Sequence, residues 1–216
     1  MGTAFNGFSE EGIQFLVDLA ANNDRAWFAA NKAILESQLL APARLLCQEL
    51  QDFLGKLTGT DHTTKLYRMH RDLRFSADKT PYNAHLHISF LGPPAACAWH
   101  LGIDTKSVSV GAGTFEFPPE QLQSFRTLIA SGAGAAIWES LAPLTSSGAR
   151  LAEPELKRVP SGYPADQPFS ELFRHKGLTA WIDMGEPVEA TRPDFARRCE
   201  DAFRALIPIA DVIRRL

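Results

Sequence analysis

Residues 84–103 read AHLHISFLGPPAACAWHLGI. Ala84, Leu86, Ile88 and Phe90 alternate with His85, His87 and Ser89, and Cys97, Trp99, Leu101 and Ile103 alternate around His100. Alternation of period two places successive side chains on opposite faces of a strand. Leu91–Ala96, LGPPAA, reads as the turn between the two strands. Matched apolar faces on either side of it predict a hairpin with one face on a core and one polar face.

Around this hairpin the chain reads as further strands and, toward its ends, as helices. Lys65–Asp72 alternates and is expected as a strand. Lys106–Val110 is expected as another, running into a turn at Gly111-Ala112-Gly113, and Leu178–Met184 as a fifth. Ser9 is placed to cap a helix carrying Ile13, Leu16 and Leu19, with Asn22 and Asn23 ending it and capping the next. That next helix bears Trp27, Phe28, Ile34, Leu35 and Leu39 and is kinked or restarted at Pro42, beyond which Leu46, Leu50, Phe53 and Leu54 continue the helical period. Pro118–Glu120 opens a helix carrying Leu122, Phe125 and Ile129, and Ala135–Leu141 a short one ending near Pro143. Ser146–Ser170 is rich in proline, glycine and charge and is expected as an extended surface segment. Phe195, Cys199, Phe203, Leu206 and Ile213 lie on one face of a last helix bent at Pro208. Strands grouped in the middle and helices at the ends predict an α+β fold, a mostly antiparallel central sheet with the terminal helices packed on it. No linker-like break interrupts residues 1–216, so one domain is expected.

Composition narrows the functions open to this chain. With 216 residues, 45% of them hydrophobic, a core large enough to need no metal or disulfide is expected. The net charge is −3, which disfavours nucleic acid and anionic membranes as partners. Cys47, Cys97 and Cys199 are scattered among apolar neighbours and read as small buried hydrophobes. No apolar run reaches a membrane span, and the opening MGTAFNGFSEEG has no secretory pattern, so a cytoplasmic protein is expected. Nothing in the sequence fixes an oligomeric state.

Polar chemistry concentrates in YRMHRDLRFSADKTPYNAH, residues 67–85. Between Thr64 and His87 stand five basic residues (Lys65, Arg68, Arg71, Arg74, Lys79) against two acidic ones (Asp72, Asp78), a basic island in an acidic chain. Arginine forks and a lysine point charge suit a phosphate or carboxylate. A small anionic ligand is therefore the expected partner, held by Arg68, Arg71, Arg74, Asp78, Lys79 and Tyr82, with Asp72 or His85 as candidates for proton transfer. The alternative is that Arg71–Asp72 and Asp78–Lys79 pairs brace an irregular loop and the protein is a non-enzymatic scaffold. His85 and His87 share a face with His100, but HxH spacing alone is a weak metal pattern, and no metal or cofactor is expected. Nucleotide-binding, zincin and nucleophile-elbow motifs are absent.

LAANNDRAWFAANK (Leu19–Lys32), followed by the Tyr67–Leu86 segment, resembles an uncharacterised family of bacterial and fungal proteins, a domain of unknown function. Its pattern is N-N-x-x-x-W-F-x-x-N-K and then R-D-x-R-F-S-x-D-K-T-P-Y. Here Asn83 stands where a lysine is expected after the tyrosine. The resemblance extends to Phe5-x-Gly7-Phe8 and to Leu156–Lys176, and brings no reaction, cofactor or partner with it. It does imply that the two motifs meet, adding Asn23 and Lys32 to the expected ligand-binding residues at a helix N-terminus.

Overall fold

In the computed structural model, which describes residues 4–74, 76–93, 97–146, 148–167 and 169–216, Ser9 opens the first helix. Its hydroxyl accepts the Gly12 N–H at 3.0 Å, and Glu10 and Glu11 occupy the positive end of helix α1, Glu10–Ala21. Leu16 and Leu19 are fully buried. Gly12 is demanded by packing, since a Cβ there would lie 2.2 Å from the Gln38 carbonyl oxygen. Asn22 ends α1 without the left-handed conformation expected of it; at φ −127° its side-chain amide bonds back to the Asp18 carbonyl at 2.9 Å. Asp24, not an asparagine, caps α2 (Arg25–Ala30) by accepting the Trp27 N–H at 2.9 Å. Asn23 is thereby released for another task.

The helix expected from Trp27 onward is four pieces: α2, α3 (Lys32–Ile34), a π-helical stretch over Leu35–Leu40, and α4 (Ala41–Thr58). Pro42 sits in the first turn of α4, where its missing N–H costs nothing. The helix buries Ala43, Leu46, Cys47, Leu50 and Leu54, and ends at Gly59, whose φ of +68° suits glycine.

The strands are β1 (Thr63–Leu66), β2 (Leu86–Leu91), β3 (Ala98–Ile103), β4 (Val108–Thr114), β5 (Ala149–Leu151) and β6 (Leu178–Gly185). They form a six-stranded antiparallel sheet in the order β1-β2-β3-β4-β6-β5, with helices packed on it, so the fold is α+β. Part of the expected hairpin turn, Pro94–Ala96, lies outside the described residues. Two sequence readings need correction. The strand expected over Lys65–Asp72 stops at Leu66, beyond which only an isolated bridge joins His70 to Tyr82. Gly111-Ala112-Gly113 is the middle of β4, not a turn. A Cβ on Gly111 would sit 2.6 Å from the Trp181 indole, and one on Gly113 2.1 Å from the Leu178 carbonyl oxygen. These glycines mark close approach of a neighbouring strand rather than a change of direction.

Beyond the sheet centre come α5 (Pro119–Leu128), α6 (Gly134–Ser146), α7 (Phe195–Ala205) and α8 (Ile207–Ile213). α6 runs through Pro143, past the end expected for it, whereas Pro208 restarts the chain in the first turn of α8 as expected. Among the described residues, the 146–170 stretch carries only β5 and turns before a 3-10 turn at Ser170–Arg174.

By its internal contacts the chain divides into two compact units. The first comprises Met1–Phe90, His100–Val110 and Asp183–Asp201. Its core includes the Phe5, Phe8 and Phe195 rings, 5.2–6.3 Å apart. The second comprises Leu91–Trp99, Gly111–Ile182 and Ala202–Leu216. There Trp99 meets Phe203 edge-on at 5.5 Å and Phe117 meets Phe125 at 5.3 Å. No described helix is long and apolar enough to cross a membrane.

Candidate functional site

The RDLRFSADKTPY segment folds as a closed loop in the first unit. The His70–Tyr82 bridge shuts its mouth, flanked by Arg71 N–H to the Pro81 carbonyl at 2.9 Å and Asn83 N–H to the Met69 carbonyl at 2.6 Å. Within it, the Arg71 guanidinium donates to the Asp78 carboxylate (2.5 Å), the Thr80 carbonyl (3.2 Å), the Thr80 hydroxyl and the Ser76 hydroxyl (3.2 Å). The second Asp78 oxygen accepts the Thr80 N–H at 2.9 Å. That backbone bond, then Arg71 and the Thr80 hydroxyl, hold the Asp78 carboxyl down at about 2.

The pairing is crossed relative to the sequence reading. Arg71 takes Asp78 rather than Asp72, and Asp72 is gripped by Arg74 through Nε at 3.0 Å and Nη2 at 2.6 Å. Lys79 donates to the Leu73 carbonyl at 3.1 Å instead of pairing with Asp78. Neighbours in sequence point apart in extended chain, so the ion pairs skip along the loop. Arg74 holds the Asp72 carboxyl below the usual carboxylate range, which makes Asp72 a weak proton acceptor. Arg68 is exposed nearby, and its charge also reaches Asp72. Phe75 of the motif lies outside the described residues.

The two motifs do meet, through asparagine and aromatic groups rather than through cations. Asn23 donates from Nδ2 to the Tyr82 carbonyl at 2.9 Å and accepts the Tyr82 N–H on Oδ1 at 3.0 Å. This reciprocal pair copies a β-ladder bond with a side chain. The Tyr82 ring is buried, stacked on Phe28 at 3.8 Å with planes 7° apart, and His70 packs edge-on at 5.0 Å. Tyr82 therefore serves packing. Asn31 caps the end of α2 through the Trp27 carbonyl at 2.8 Å. Lys32 is exposed; its charge is felt at Glu36, and it makes no hydrogen bond or ion pair among the described residues.

The polar face of the hairpin carries a second constellation. Tyr67 stacks on His87 at 4.7 Å, the Lys65 ammonium lies 4.4 Å from the Tyr67 ring centre, and His85 and His100 flank His87 at 6.4 and 6.0 Å. Ser89 Oγ lies 2.9 Å from His100 Nδ1, and both residues are buried. That spacing fits a nucleophile and its base, but Ser89 is 0% exposed and no substrate reaches it. Burial, then the nearby His87, pushes His100 down to about 4. Burial, then His85 and Lys65, also lowers His87. The rings form a row along the strands, and among the described residues no group of three His, Cys, Asp or Glu is placed to hold a metal. Lys65 and Tyr67 belong to this row rather than to the basic loop, a placement signalled by their period-two spacing.

The thiols offer no reactive site: burial pushes Cys47 up to about 11, Cys97 up to about 12, and Cys199 higher still. No curated protein matches the chain. Residues 11–211 match a family described as a conserved hypothetical protein, so the resemblance carried by the two motifs extends over nearly the whole sequence: the chain belongs to the DUF2461 family.

Proposed function

We propose that the loop closed by His70 and Tyr82 is a structural clasp, and that the protein acts as a non-enzymatic interaction module built around it. One observation carries this reading: the Arg71 guanidinium is spent on Asp78, Thr80 and Ser76, all within its own loop. An entering anion has to displace several charge-assisted bonds to reach it. Both loop carboxylates are paired and held ionised, which argues against a general base here. A cytoplasmic location, with no nucleic-acid partner, accompanies this reading, since the three cysteines are free thiols and the net charge is −3.

A second reading, a small phosphate- or carboxylate-bearing ligand on the loop's rim, draws on one further feature. Arg74 is paired with Asp72 in the open, its side chain 76% exposed, and a phosphate presents the same two-oxygen edge to the guanidinium. Thermal unfolding with and without inorganic phosphate separates the two. Under the clasp reading Arg71→Ala costs more than Arg74→Ala, because the Arg71 side chain is the less exposed of the two and its bonds hold the loop together. Arg74→Ala then costs little, because the pair that it breaks is exposed, and phosphate shifts neither protein. A phosphate-induced rise in Tm that Arg74→Ala removes, with Arg71→Ala near neutral, rejects the clasp in favour of the ligand.

A further inference from the structure

β5 ends the sheet and pairs with β6, Arg150 standing opposite Trp181 and Leu151 opposite Ala180. The Ala152 N–H donates to the Thr179 carbonyl at 2.9 Å, so the register runs one residue past the strand. In an antiparallel ladder, successive residues turn their N–H and C=O alternately toward the partner strand and away from it. Ala152, and hence Arg150, turn toward β6. The main-chain groups of Ala149 and Leu151 therefore point out from the sheet, where they make no hydrogen bond with any described residue.

An apolar pocket adjoins this open edge. It holds about 330 Å³ and is lined by Trp138, Leu141 and Ala142 of α6 and by Leu151. No β6 residue is among the described lining residues, so the pocket sits beside β5 rather than beneath the sheet. Leu141 is buried, Trp138 and Leu151 are half-buried and Ala142 is exposed, which gives apolar walls and an open mouth. Period two puts Ala149 and Leu151 on this side of the strand and Arg150 on the other. All of these residues belong to the second unit, and none belongs to the clasp.

An open strand edge beside an apolar pocket is the geometry that takes up an extended peptide: main-chain bonds hold the added strand, and the pocket selects every second side chain. We propose that a segment of a partner protein adds antiparallel to β5 as a seventh strand. Its residue opposite Leu151 exchanges main-chain bonds with Leu151, and its side chain, on the same face, enters the pocket. That residue is leucine, isoleucine or phenylalanine. Glu153 stands two residues beyond Leu151, exposed and without an ion pair among the described residues, so a lysine or arginine two residues before the apolar one complements it. A second copy of the chain is the poorer occupant. β5 is three residues long, and a strip of about 10 Å with one pocket covers on the order of a few hundred Å², short of the ~800 Å² per partner of a stable dimer. The inference deepens the interaction-module reading and rests on it for a protein partner.

Amide NMR titration of the full chain tests the edge. The probe is a blocked threonine hexapeptide with lysine second and leucine fourth. Three control peptides carry serine for the leucine, an N-methyl group on the leucine amide, or glutamate for the lysine. The probe should saturably shift the amides of residues 149–153 and the Trp138 indole. The serine and N-methyl peptides should bind about tenfold more weakly, the first for lack of the anchor and the second for lack of the bond to the Leu151 carbonyl. Ala142→Gln, at an exposed position of α6, should fill the mouth and weaken the probe about tenfold. Glu153→Lys should make the glutamate peptide the better ligand. The proposal fails if the probe shifts none of these amides, if either weakened control binds as well, if Ala142→Gln binds unchanged, or if Glu153→Lys leaves the lysine peptide preferred. Shifts of the same amides with protein concentration alone assign the edge to a second copy and also overturn it. Unfolding of Arg71→Ala tests the clasp and this titration does not, so the two readings fail separately.

Discussion

Lowering the pH from about 7.5 to about 5 should destabilise this protein chiefly through one buried imidazole. His100 is 4% exposed, and its pKa is pushed from the free-histidine value down to about 4 by burial and then by His87. The unfolded chain takes up a proton near pH 6.5, whereas the folded chain resists until about pH 4. Across that window the unfolded state holds more protons, so stability is full above the unfolded pKa and falls as the pH drops. A gap of this size implies a loss of about 2 kcal/mol by pH 5 and about 3 kcal/mol by pH 4, where the effect levels off. For a chain of this length that is a Tm decrease of about 4–8 °C at pH 5. Its ring neighbour His87 is flanked by His85 and Tyr67, with Lys65 over the Tyr67 ring, and none of these neighbours is a carboxylate that could offset the change. The assay is a series of thermal or denaturant melts across this range on the wild type and on His100→Asn, whose side-chain oxygen can replace Nδ1 as the acceptor for Ser89. The variant should be less stable at neutral pH but should lose the steep acid slope. Parallel slopes for the two proteins refute the assignment to His100.

Two further substitutions probe the architecture around the site. Asn23→Ala removes both bonds to the Tyr82 backbone and leaves a half-buried N–H and C=O unmatched; a loss of about 2 kcal/mol in urea unfolding is expected, and a loss below about 0.5 kcal/mol contradicts the ladder-mimic role. Gly113→Ala places a methyl 2.1 Å from the Leu178 carbonyl oxygen at a φ of +137°, so it should destabilise by more than about 2 kcal/mol, seen as a Tm drop that Gly59→Ala, in open space, does not match.

What was legible in the sequence was periodicity. The alternation over residues 84–103 carried the two central strands, and the fourfold spacing of Leu46, Leu50 and Leu54 carried α4. The errors arose where tertiary contact overrides a local signal. Gly111 and Gly113 look like turn residues, but their lack of a side chain accommodates Trp181 and the Leu178 backbone. Tyr67 to Asp72 alternates like a strand, yet the loop diverts it after Leu66. His100 looked half-solvated from its place on a polar face, and it is buried against Ser89. In the clasp, the sequence supplied the charged residues but not their pairing, which depends on how the loop closes.

The composition of the hallmark loop has a reason that requires no ligand. From Arg71 to Pro81 the described residues lie outside any ladder, so their backbone groups need partners other than a neighbouring strand. Asp78 serves the Thr80 N–H, Asp72 serves the Arg74 N–H, and Arg71 and Lys79 serve the Thr80 and Leu73 carbonyls. Each aspartate and each of these cations thus satisfies a backbone group. Arg71 and Arg74 additionally neutralise the two aspartates. Exposed ion pairs contribute little energy individually, but here they set the path of an otherwise irregular segment. That path delivers Tyr82 to Asn23 and Phe28, the junction between the two motifs. Exchanging an exposed ion pair for an apolar pair of equal size would lose little Coulomb energy but would remove the backbone acceptors. Conversely, a neutral isostere such as Asp78→Asn keeps an acceptor for Thr80 while weakening the hold on Arg71. The clasp reading therefore ranks Asp78→Ala as more damaging than Asp78→Asn, an order that a simple charge-counting view of an anion site does not produce.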